Sequence, residues 1–205
     1  VGEIKEEKID SFELGIRGER HGVSYQVAGY YMKKKNFFFR DTDGFNVING
    51  RTKHHGIEAE VVAPLPHGFA LAMGGTYARH TYDFDNTVAV NSTESIKRGD
   101  DVDTAPRFLS NVRLMWECAE NALVEFEWSR IGSYFTDASN LHKYPGHNVF
   151  NFRGHWQIQP ALRIYGAVTN LTNKRYAERA DFSFGTERYL PAESRAFQVG
   201  FALDF

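Results

Sequence analysis

The 205-residue chain has one cysteine, Cys118, and no long uncharged apolar run. A lone thiol excludes an internal disulfide and a thiolate metal site. Without a run of about 20 apolar residues there is no transmembrane helix, and the mean hydropathy of -0.46 agrees. Charge of one sign is also missing: 24 Lys and Arg against 26 Asp and Glu leave a net charge of -2. That excludes the basic footprint of a nucleic-acid binder. The opening V-G-E-I-K-E-E-K-I-D has no apolar core of an export signal, so an exported protein would have its amino terminus outside this chain. What the chain does have is apolar and aromatic content. Hydrophobic residues at 42% exclude disorder, and 15% aromatics, with 17 Phe and 10 Tyr, match the girdles of a membrane β-barrel.

The last stretch, S-R-A-F-Q-V-G-F-A-L-D-F at 194–205, shows the pattern most sharply. Phe197, Val199, Phe201, Leu203 and Phe205 share one parity; Ala196, Gln198, Gly200, Ala202 and Asp204 share the other. Successive side chains of a strand point to opposite faces, so one face is apolar and the other small and polar. This fits a barrel wall with lipid outside and a wet lumen inside. An edge strand of a soluble sandwich would alternate in the same way.

Eight further segments alternate: about 11–19, 23–39, a third ending near 62, 69–82, 106–117, 122–135, 147–158 and 161–169. Pro64-Leu65-Pro66-His67-Gly68 is expected to break the ladder, because proline donates no hydrogen bond to it. The connections then sort by length. Tight ones lie at 20–22, 63–68, 118–121 and 158–160; longer ones lie at 40–46, 83–105, 136–146 and 170–193, in strict alternation. Short turns at one end and long loops at the other are the habit of antiparallel membrane barrels. A Greek-key sandwich has no reason to sort its loops this way. The expected fold is all-β: an antiparallel up-and-down meander of about nine strands, forming part of a transmembrane β-barrel.

The stretches N-G-R-T-K-H-H-G-I-E-A-E at 49–60, Y-F-T-D-A-S-N-L-H-K-Y-P-G-H at 134–147, V-T-N-L-T-N-K-R-Y-A-E-R at 168–179 and R-Y-L-P-A-E-S-R at 188–195 occur in this order before the terminal strand. As a set they make the chain resemble the carboxy-terminal part of a TonB-dependent outer-membrane receptor of the siderophore-receptor type. The resemblance implies a plugged barrel of about 22 strands in the outer membrane of a Gram-negative bacterium. Residues 1–205 would be its last nine strands, with plug domain, TonB box and signal peptide outside the chain. It implies a ferric siderophore or similar iron chelate as transported ligand, with no cofactor. It also implies the TonB complex as partner through the missing amino-terminal part, the barrel-assembly machinery as reader of the terminal strand (Phe201, Leu203, Phe205), and outer-membrane lipid around the wall.

Candidate residues follow from parity and position. Glu58, Glu60, Glu125 and Glu127 take inward positions with Arg113, Asn151, Arg153 and Gln198. Paired carboxylates can do acid–base work, but on adjacent inward positions they read as a wet wall; the resemblance has them face basic groups of the plug. Tyr134, Tyr144, Tyr176 and Tyr189 fall where strands leave the membrane, as girdle residues or as ligand contacts. Arg98, Arg175, Arg179 and Arg188, with Lys97 and Lys174, lie in the long loops, where fixed cationic donors suit an anionic chelate; contact with anionic lipopolysaccharide or plain solvation is the alternative. The expected ligand set is Arg98, Tyr134, Tyr144, Arg175, Arg188 and Tyr189. No metal site is expected: His54 and His55 are strand neighbours on opposite faces, and Asp100-Asp101-Val102-Asp103 lacks EF-hand spacing and reads as a solvated loop. No Ser, His and acid share matched inward positions, so no enzyme is expected. The competing expectation is a small self-contained outer-membrane barrel, a lipid-active enzyme or an adhesin.

Overall fold

A computed structural model describes residues 5–40, 44, 46–87 and 95–204. Phe205, one of the three residues of the expected assembly signal, lies outside them. The strands are β1 (Lys8–Arg20), β2 (Val23–Arg40), β3 (Asn46–Leu65), β4 (Phe69–Tyr82), β5 (Asn86–Thr87), β6 (Ser95–Ile96), β7 (Phe108–Ala119), β8 (Ala122–Ile131), β9 (Tyr134–Phe135), β10 (Lys143–Tyr144), β11 (His147–Gln159), β12 (Leu162–Thr169), β13 (Ala177–Ser183), β14 (Thr186–Pro191) and β15 (Ala196–Leu203). Nine of them form one antiparallel sheet in the order β1-β2-β3-β4-β7-β8-β11-β12-β15. Every neighbour in that sheet is the next wall strand in sequence, and β1 and β15 are not paired with each other. The result is an open wall, the meander expected from the alternation.

Tight turns close one end. His21 and Gly22 both have positive φ (52° and 78°), as do His67 and Gly68 (63° and 76°). Two left-handed residues in a row match the strand twist in a two-residue hairpin. Register then carries each side chain's face from strand to strand. Leu14, Gly29, Ile57, Tyr77 and Phe108 form one cross-strand row on the apolar outer face. Glu60, Gly74, Asn111 and Ser129 form another on the inner face. Phe197, Val199 and Phe201 on β15 are 73%, 84% and 72% exposed, so this face packs on nothing among the described residues. The expected parity therefore holds at both ends of the wall. The wall is not of even height: β2 and β3 have 18 and 20 residues, whereas β12 and β15 have 8 each.

Two expectations need correcting. The ladder does not break at Pro64, which sits opposite Ala70 in β3–β4. Pro64 lies beyond Val62, the last β3 partner of β2, so its missing N–H leaves no ladder bond unmade on that side. The sixth strand does not run on to Phe135. β8 ends at Ile131, and Tyr134–Phe135 pair instead with Lys143–Tyr144.

The long connections form a second layer. Val47, Tyr82, Phe84, Ile96 and Ala138 pack into one buried cluster; Tyr134, Tyr144, Ala177 and Ala180 pack into another. Backbone bonds join the connections: Thr104 donates to the Phe135 carbonyl and Phe182 to that of Thr136, each at 2.8 Å. The expected solvated loop at 100–103 is part of this cap. Asp101 is buried and gripped by both nitrogens of the Arg107 fork at 2.7–3.0 Å, and the Tyr82 hydroxyl donates to Asp103 at 2.6 Å. A paired carboxylate can be buried where a bare one could not.

Candidate ligand vestibule and lumen wall

The inner face carries a hydrogen-bonded polar network built from three adjacent strands. Register places Arg113 and Asn151 on either side of Glu127, and Arg153 opposite Glu125. Asn111 donates its amide to Glu127 at 2.7 Å and to Ser129 at 2.8 Å; Asn151 donates to the other Glu127 oxygen at 3.0 Å. The Arg153 guanidinium reaches Glu125 at 2.6 Å and Glu127 at 3.3 Å. Glu125 is buried despite lining an open wall, because its neighbours cover it. These carboxylates thus have cationic and amide partners within the wall itself. Glu58 and Glu60 differ: both are exposed on the inner face, with no hydrogen bond or ion pair among the described residues.

Above the wall, the six residues of the expected ligand set separate. Tyr134 and Tyr144 are cap core, 8% and 7% exposed, with ring centroids 5.2 Å apart. The Tyr134 oxygen accepts the Ala180 N–H at 2.9 Å, and burial pushes its phenol pKa up. The Tyr144 oxygen accepts the Ala177 N–H at 3.1 Å and meets His147 Nδ1 at 2.9 Å. Both rings anchor the β13–β14 hairpin to β9–β10. Arg175 and Tyr189 line a groove of about 310 Å³ with Tyr144 and Tyr176. Tyr189 is exposed and its hydroxyl bonds Glu187, which raises its pKa. Arg98 stands apart, 3.5 Å from Asp83 near the outer rim.

Arg188 belongs to a different cavity of about 320 Å³. It holds Asp181 at 2.6 Å, and Arg179 reaches the other Asp181 oxygen at 3.4 Å. Arg40 from β2, the rings of Phe39, Phe182 and Phe184, and Asp103 are also in its lining. Burial pushes the Asp103 carboxyl pKa up, against the pull of the Tyr82 hydroxyl. Arg40 and the three phenylalanines had no sequence signal as a group: they lie on β2 and a hairpin some 140 residues further on. The arrangement presents three guanidinium groups and aromatic faces around a polar hollow, a chemistry suited to an anionic, ring-bearing ligand.

An open antiparallel wall with an apolar outer face, a polar inner face, tight turns below and a folded cap above is a segment of a membrane β-barrel. The family profile described as "TonB dependent receptor-like, beta-barrel" matches residues 1–171. The chain belongs to this family, whose members sit in the Gram-negative outer membrane. Among curated proteins no sequence match was found. Solved structures share the fold at low identity. The ferric-catecholate import receptor Fiu from E. coli K12 is 18% identical over 98% of this chain and 28% of its own, with a TM-score of 0.78. The ferric yersiniabactin uptake receptor FyuA from Yersinia pestis is 19% identical over 97% and 30%, with a TM-score of 0.79. The copper transporter OprC is 18% identical over 98% and 32%, with a TM-score of 0.77. The chain therefore spans less than a third of these structures.

Proposed function

We propose that the chain is the carboxy-terminal wall and part of the extracellular mouth of a plugged receptor that takes a ferric siderophore or similar iron chelate across the outer membrane. The observation that carries this is the cavity at Arg40, Arg179 and Arg188, which places fixed positive charge and aromatic rings at the loop end of the barrel. Ferric chelates are commonly anionic, and arginine keeps its charge and its forked donors at any working pH. Plug and TonB contact would come from sequence beyond these residues. Glu58 and Glu60, exposed on the inner face, are the best placed of the inward carboxylates to meet basic groups of a plug. Phe201 and Leu203, exposed on β15, suit recognition by the assembly machinery. The self-contained barrel is disfavoured, because β1 and β15 leave two unpaired edges, and each unsatisfied backbone group in hydrocarbon costs several kcal/mol.

The test is growth under iron limitation of a strain lacking the full gene, fed individual siderophores and complemented with wild type or with Arg179→Ala/Arg188→Ala. The expected result is loss of growth on one siderophore in the deletion and a weakened response, roughly tenfold or more in half-maximal concentration, in the double variant. Growth on every iron source at wild-type rates in the deletion would rule the reading out.

A further inference from the structure

A strand sends neighbours to opposite faces, so His54 and His55 cannot share a ligand. The register gives His54 a different companion. On the inner face the row Ser11–Met32–His54–His80 crosses β1 to β4, and its two imidazoles turn towards each other. Their Nδ1 atoms stand 2.8 Å apart, with ring centroids 5.0 Å apart and the planes inclined by 52°. The other nitrogen of His54, Nε2, is held by the Thr52 hydroxyl at 2.8 Å, and Thr52 is only 2% exposed. One nitrogen fixed by a buried hydroxyl and the other presented to a neighbour is the arrangement that orients a metal-ligating histidine.

The surroundings leave the pair accessible from the lumen side. Both histidines are half-buried. In the next inner row Gly56 faces Ala78, so β3 and β4 offer nothing larger than a methyl group there. A Cβ at Gly56 would stand 2.8 Å from that of Ala78, which bars a bulkier residue from this position. In the row on the other side, Lys34 is paired with Glu7 at 2.7 Å and lies 4.3 Å from the Phe37 ring, so its charge is partly offset. Two residues on from His80, the Tyr82 hydroxyl donates to Asp103, which lines the mouth cavity of Arg40, Arg179 and Arg188. The histidine pair thus stands one ladder row from a side chain that touches that cavity.

We infer that His54 and His80 form a two-imidazole site for a late divalent transition-metal cation, copper(II) above all, with its remaining positions open to the lumen. Two cis nitrogens about 2.0 Å from a square-planar ion are about 2.8 Å apart, whereas around a tetrahedral zinc ion they are about 3.3 Å apart. The observed separation fits the planar case. In the free pair one Nδ1–H donates to the other Nδ1. With the ion bound, both rings carry their proton on Nε2, and the Thr52 hydroxyl accepts that of His54. Met32 adjoins His54 on the same row, and its thioether is a soft donor of the kind copper accepts. The site rests on the inner-face register alone and not on the identity of the transported chelate, because it takes the bare cation.

The test uses the full receptor carrying this chain, purified in mild detergent, stripped of metal and titrated with copper(II) or zinc(II). The expected result is a copper(II) site whose electron paramagnetic resonance spectrum shows coupling to two nitrogens. His54→Gln or His80→Gln should each weaken it about tenfold or more, and the double variant should lose both site and coupling while keeping heat-modifiable migration. His55→Gln, on the opposite face, should leave affinity and spectrum unchanged. A second readout needs no variant: copper(II) should shield His54 and His80 of the wild type from carbethoxylation, and leave His55 reactive. Unaltered copper binding in the double variant, equal carbethoxylation of the pair with and without copper(II), or zinc(II) held there as tightly as copper(II) would overturn the inference.

Discussion

The wall and the cap hold their shape by opposite means. In the cap, Ile96, Ala138 and Ala180 are 1%, 3% and 1% exposed, and side chains are buried against one another as in a water-soluble core. In the wall, rings such as Phe12 and Phe197 are 68% and 73% exposed, and order comes from the backbone ladder and the inner polar network. Cap polar groups are tied to specific side chains: the Asp137 carboxylate accepts the N–H groups of Leu141 and His142 at 3.1 and 2.7 Å. Asn170 closes its own loop the same way, bonded to both N–H and carbonyl of Lys174. The wall must bury its outer face in hydrocarbon, whereas the cap carries its own solvent exclusion with it.

The largest effect expected from this contrast concerns the chain by itself. Expressed alone and refolded without amphiphile, it should aggregate, because two strand edges and a continuous apolar face are left open. Light scattering and gel migration after boiling read the outcome; a heat-modifiable, protease-resistant monomer in outer membranes would break the comparison. A smaller effect is expected at Asp137→Ala. It strips the Leu141 and His142 N–H groups of a buried, charged acceptor and should loosen the cap by about 2 kcal/mol while leaving the wall intact. Hydrogen exchange at 134–144 should rise, with the amides of β7 and β8 unchanged.

The smallest is a pH effect confined to the cap. Burial raises the Asp103 pKa, so the folded cap holds this proton more tightly than the unfolded chain does. The contribution is fully present below the ordinary carboxylate pKa and is lost as pH rises through the raised one. Cap protection should therefore fall across that window in the wild type and stay level in Asp103→Asn. Matching pH profiles for the two proteins would remove Asp103 from the account.

The same contrast explains what was legible in the sequence. Wall strands could be read because a two-residue period and left-handed pairs such as His21-Gly22 are local signals, and parity put Glu58, Arg113 and Phe201 on their faces. The pairing of Arg153 with Glu125 was half legible: both were inward by parity, but which groups meet depends on a register spanning 28 residues. The cap was not legible. Val47 of β3, Ile96 and Ala138 meet from three separate stretches with no period to announce them. Tyr134 and Tyr144 illustrate the cost, since tyrosines at strand exits look alike whether they face headgroups, a ligand or a neighbouring loop. The aspartates at 101 and 103 misled for the same reason: their partners Arg107 and Tyr82 belong to the wall rim.

The uneven strand lengths have one more consequence. β3 outlasts β15 by 12 residues, about 40 Å of extended chain before tilt. The two flanks of the wall thus differ in extent, and the β13–β14 hairpin shares a cavity with Phe39 and Arg40 on the longer-stranded one. The hairpin turns at Phe184 and Gly185, and its Arg179 and Arg188 lie further down its strands, facing that flank.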